Sequence, residues 1–119
     1  NTNYFIFGEE TDYYYRLKET GMVITNINSI QYHPDVSNRK YNQIKIYYYI
    51  KNSIINNRKY FNLIILRNFL TLIAIVYRTY KRNGMLFVLS LILGKNSKIF
   101  YLAIYRGLKN QLRKDYDFN

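Results

Sequence analysis

Three carboxylates stand within four residues near the start of the chain: Glu9, Glu10 and Asp12, directly after Gly8. A carboxylate can serve as a general base when it stands within hydrogen-bond reach of a hydroxyl, so this is the stretch of the chain that could do chemistry. The cluster also has a plainer use. Residues 13–18 are an aromatic and helix-forming run that Gly21 would stop, which sets the acids at a helix N-terminus. Unpaired backbone N–H groups and the helix macrodipole favour negative charge there by roughly 0.3–1 kcal/mol per group. The only histidine, His33, comes directly before the only proline, Pro34. An imidazole so placed is either a hydrogen-bonded surface group or a metal ligand.

The elements that would position these groups are short. Phe5, Ile6 and Phe7 form an apolar run ending at Gly8, so the acids emerge where a buried segment gives way to a helix. Residues 22–25 and 29–32 read as strands, the second carrying His33 at its end, one strand-pair away from the acids. The turn-rich stretch 34–40 then marks a boundary between segments 1–38 and 39–119.

Charge separates the same two segments. Residues 1–38 hold two basic and five acidic residues, a net of −3, whereas 39–119 hold sixteen basic and two acidic, a net of +14. No acid occurs between Val36 and Lys114. A length of chain that repels itself this strongly is expected to meet an anionic surface, nucleic acid or phospholipid. Cysteine is absent, which removes disulfides and thiolate metal sites.

The apolar pattern of the second segment favours lipid. Residues 41–59 have a helical pattern, with apolar side chains at Ile44, Tyr47, Tyr48, Ile50, Ile54 and Ile55. Residues 61–77 are apolar except for Asn62, Arg67, Asn68 and Thr71. At about 100° per residue, Arg67, Thr71, Ala74, Arg78 and Arg82 fall within roughly 80° of one another, a narrow basic stripe on a greasy helix. About 25 Å of helix is short of a ~30 Å hydrocarbon core, so a helix lying in the interface with Arg67, Arg78 and Arg82 at the headgroups is expected. Ordinary core packing is the alternative. Residues 85–93 are apolar, and 99–112 resume a helical pattern. Nucleic acid is not the expected partner, since long Ile/Leu runs dilute the basic residues and no recognition motif appears.

The acid cluster also resembles a known family. Gly8-Glu9-Glu10-Thr11-Asp12 with Arg16-Leu17, then Gly21, then Tyr32-His33, is similar to the C-terminal part of family 2 glycosyltransferases, in the rhamnosyl- and galactofuranosyltransferase branch. Tyr47-Tyr48-Tyr49-Ile50-Lys51-Asn52 and Ala103-Ile104-Tyr105-Arg106-Gly107-Leu108-Lys109 resemble its later segments. The resemblance implies an α/β fold: the end of a doubly wound GT-A catalytic domain, a helix with short strands, followed by a mainly α-helical region. It further implies inverting transfer from a nucleotide-sugar donor to a glycan or lipid-linked acceptor, at the cytoplasmic face of the plasma membrane. Glu10 matches the base, with Glu9 and Asp12 beside it, Glu9 and Tyr32 touching substrate, and His33 binding Mn²⁺ or Mg²⁺ on the donor. The other metal ligands and the nucleotide site are expected upstream, which makes this chain a fragment. Glu9-Glu10 stands where Asp-Asp is frequent, lengthening each reach by a methylene.

Overall fold

The computed structural model describes residues 8–24, 28, 32 and 39–112. These contain five helices: α1 Glu9–Thr20, α2 Gln43–Tyr60, α3 Ile64–Asn83, α4 Met85–Ile92 and α5 Ser97–Leu108. The α/β expectation is therefore corrected to an all-helical fold among the described residues. Of the expected strands, residues 22–24 are irregular, with Met22 and Ile24 85% and 78% exposed. Their β-branched and apolar character reads as strand, but a strand needs a partner that buries one of its faces, and among the described residues none lies beside this stretch. Most of residues 29–32, and His33, lie outside the described residues.

Helix α2 organises the rest. Asn42 caps it, its side-chain oxygen accepting from the Lys45 N–H at 2.7 Å. Ile46, Tyr47, Ile50 and Ile54 recur on one side at helical spacing and are buried against Phe100 and Ala103 of α5, Ile75 of α3 and Leu91 of α4. The approach of α5 to α2 is close enough to need glycine: a Cβ on Gly107 would stand 3.0 Å from Ile54 Cβ and 3.1 Å from the Lys51 carbonyl. Tyr47, Tyr48 and Lys51 are fully buried, Lys51 Nζ lying 4.7 Å from the Tyr48 ring centroid.

Helices α3 and α4 are separated by Gly84, whose φ of 85° is a backbone conformation that only glycine adopts without strain. Asn83, at the end of α3, exchanges two hydrogen bonds with the Tyr41 backbone, donating at 2.8 Å and accepting at 3.0 Å, which fixes α3 to the start of α2. Asn57 ties the other ends together by donating to Asn68 and Thr71, each at 3.0 Å. Both clasps use uncharged groups. Two helices rich in Lys and Arg thereby pack without an acid of their own between them.

Candidate functional site

The three acids, adjacent in sequence, have different surroundings. At helical spacing Asp12 points toward α2, whereas Glu9 and Glu10 project from the first turn of α1. The Asp12 side chain is fully buried. It accepts from Lys59 Nζ at 2.6 Å, the Tyr60 hydroxyl at 2.5 Å and Arg16 Nε at 2.9 Å. Burial pushes its carboxyl upward, and the hydrogen bonds from Lys59, Tyr60 and Arg16 outweigh that, so it sits below the ordinary carboxylate range. The Lys59 ammonium is raised in turn by its hydrogen bond to Asp12. Tyr60 is raised by burial and by donating its proton toward Asp12. Tyr15 completes the joint, stacking on Tyr60 at 4.7 Å and meeting Phe61 edge-on at 5.2 Å.

This clasp holds the start of α1 over a cleft of about 690 Å³. Gly8, Glu9, Glu10 and Thr11 form one wall. Lys45, Tyr49, Ser53 and Asn57 form the second, a stripe at four-residue intervals along α2, with Tyr41 just before its cap. Arg67, Thr71 and Arg82 of α3 close the third. Asn56 anchors the acidic wall by donating to the Gly8 carbonyl at 3.0 Å. Aromatic faces hold the cations in place: Arg67 lies over Phe61 at 3.5 Å, and Arg82 over Tyr41 at 4.6 Å. Arg78 donates to the Tyr49 hydroxyl.

Glu9 and Glu10 are exposed, and among the described residues neither forms an ion pair, so both carboxylates are open to solvent at the cleft. Asp12 has no such freedom, because its oxygens are already accepting three hydrogen bonds. Tyr32 is 91% exposed and does not line the cleft, and His33 is outside the described residues. Arg67 and Arg82 line the cleft, and Arg78 reaches across to Tyr49, so the basic stripe turns toward α2 on one flank of α3. No group of three or more His, Cys, Asp or Glu able to hold a metal occurs among the described residues. The cleft, with two carboxylates among cations and amides, does not fit a divalent ion by itself.

Sequence reasoning missed Lys45, Tyr49, Ser53 and Asn57 as a surface. The signal was there as polar or amphipathic residues at i, i+4, i+8 and i+12 in a helix otherwise buried by Ile and Tyr. Compared with protein-family models, with curated proteins and with solved structures, the chain matches none.

Proposed function

We propose that the chain is the helical, acceptor-side part of an inverting nucleotide-sugar glycosyltransferase that builds a surface glycan. The observation that carries this reading is the pair Glu9 and Glu10 at the mouth of a cleft whose facing walls bear Lys45, Arg67 and Arg82. Glycosyl transfer needs both features. An acceptor O–H must lose its proton as its oxygen attacks the anomeric carbon, and the departing nucleoside diphosphate takes the electron pair of the broken C–O bond as extra negative charge. Glu10 takes the proton, Glu9 accepts hydrogen bonds from the other acceptor hydroxyls, and the cations opposite offset the leaving group's charge. Asp12 acts as a positioning residue, holding both glutamates at the cleft through α1. His33, with a metal that would offset the donor's charge, belongs to the same reading and lies outside the described residues.

The test of this assignment is the nucleoside diphosphate itself. In the complete protein, Arg67→Ala should weaken binding of a nucleoside diphosphate by about five- to tenfold, a charge-assisted contact's worth. Binding of the free nucleoside should stay unchanged. Equal loss for both ligands, or none for either, would remove the cleft from the donor's leaving-group path.

A further inference from the structure

The cleft uses one flank of α3, and the helix's outermost face remains. Leu66, Phe69, Leu70, Ile73 and Tyr77 project from it, each half or more exposed. Met85, Leu86 and Leu89 of α4 continue the surface, Leu86 being 85% exposed. An apolar groove of about 480 Å³, lined by Phe69, Ile73, Tyr77 and Met85 among others, joins the two helices, so this is one surface. Monomeric soluble proteins seldom leave so much contiguous apolar area uncovered.

We infer that the outer face of α3 and α4 docks on an anionic lipid bilayer, lying in the headgroup region with its apolar side chains among the acyl chains. Charge identifies the occupant. Lys81 stands exposed beside the apolar arc of α3, Arg67 and Arg78 lie exposed behind it on the flank that turns toward α2, and Lys95 and Lys98 stand exposed just beyond α4. No acid lies between Val36 and Lys114 to offset them. A second copy of the chain would bring like charge against like charge, whereas anionic headgroups beside acyl chains complement both the basic residues and the apolar arc. At 20 residues, α3 lays an arc of about 30 Å along the surface. Among the described residues no single helix is long and apolar enough to cross a membrane. Helices α4 and α5 reach that length only together, with a 61° bend between them, and α5 is committed to α2 through Phe100, Ala103 and Gly107.

Membrane docking is separate from glycosyl transfer and is tested without it, by flotation with phosphatidylcholine vesicles with and without phosphatidylglycerol. The chain should float with the anionic vesicles, and high salt should weaken that association without abolishing it, because acyl-chain burial is not screened. Arg78→Glu with Lys81→Glu should lower partitioning onto anionic vesicles by at least about tenfold. Leu66→Glu with Ile73→Glu should abolish it, helicity being checked by circular dichroism. Phe69→Trp gives a reading in an almost unaltered chain, since the sequence contains no Trp. Its indole emission should shift to the blue on anionic vesicles and be quenched by bromine-labelled acyl chains. An unshifted emission from the Phe69→Trp variant, equal affinity for neutral vesicles, or complete release by moderate salt would overturn the inference. So would a stable dimer that the Leu66/Ile73 pair dissociates, or tighter binding to a single-stranded oligonucleotide.

Discussion

Residue by residue, the acid cluster shows how burial divides work that sequence leaves undivided. Glu9, Glu10 and Asp12 have the same chemistry and nearly the same position, yet Asp12 alone is turned toward α2, where Lys59 and Tyr60, with Arg16 of its own helix, saturate it. Breaking a fully buried ion pair costs about 3–5 kcal/mol. Lys59 and Arg16 are each 44% exposed and regain water, so Asp12→Asn should cost less, about 2–3 kcal/mol. The pH dependence has a fixed sign. The folded Asp12 carboxyl lies below its ordinary value of 3.8, so its stabilisation is complete above about pH 5 and lost as pH falls through the lowered value. The melting temperatures of the parent and Asp12→Asn should therefore differ by a constant amount from about pH 5 to 8 and converge in strong acid. A difference that persists at acid pH would place the effect in shape and not in charge.

The helices were legible because burial recurs at 3.6 residues along α2 and again along α5, and periodicity survives any choice among Ile, Tyr and Phe. The strand expected over residues 22–25 does not form at 22–24, because a short apolar run takes its meaning from a neighbour that a single sequence does not display. The burial of Asp12 was not legible for a related reason: its partners Lys59 and Tyr60 lie 47 and 48 positions away. The cleft followed the same pattern, its acidic wall visible at Glu9-Glu10 and its α2 wall hidden in a helix whose buried Ile and Tyr dominate the periodicity. Gly107 offers the sharpest test among the elements. A valine there would drive into the Lys51 carbonyl, which is backbone and cannot swing aside, and push α5 off α2. Gly107→Val should destabilise by about 1–3 kcal/mol, read from urea unfolding. A variant as stable as the parent would show that the two helices can separate freely.

Taken whole, the molecule sets its charges to different tasks on one scaffold. The net charge is +11, residues 39–112 contain no acid, and among the described helices α1 alone brings carboxylates to the cations of α2 and α3. If those carboxylates perform glycosyl transfer, with Glu10 as the base, single-turnover transfer by the complete protein carrying Glu10→Gln reads the step itself, with donor affinity measured alongside. Turnover should fall by about 10²–10⁴ with donor affinity and melting temperature unchanged. Glu9→Gln should mainly raise the acceptor KM. Transfer that survives Glu10→Gln at the parent's rate would contradict the assignment of Glu10 and, with it, the proposed activity of the cleft.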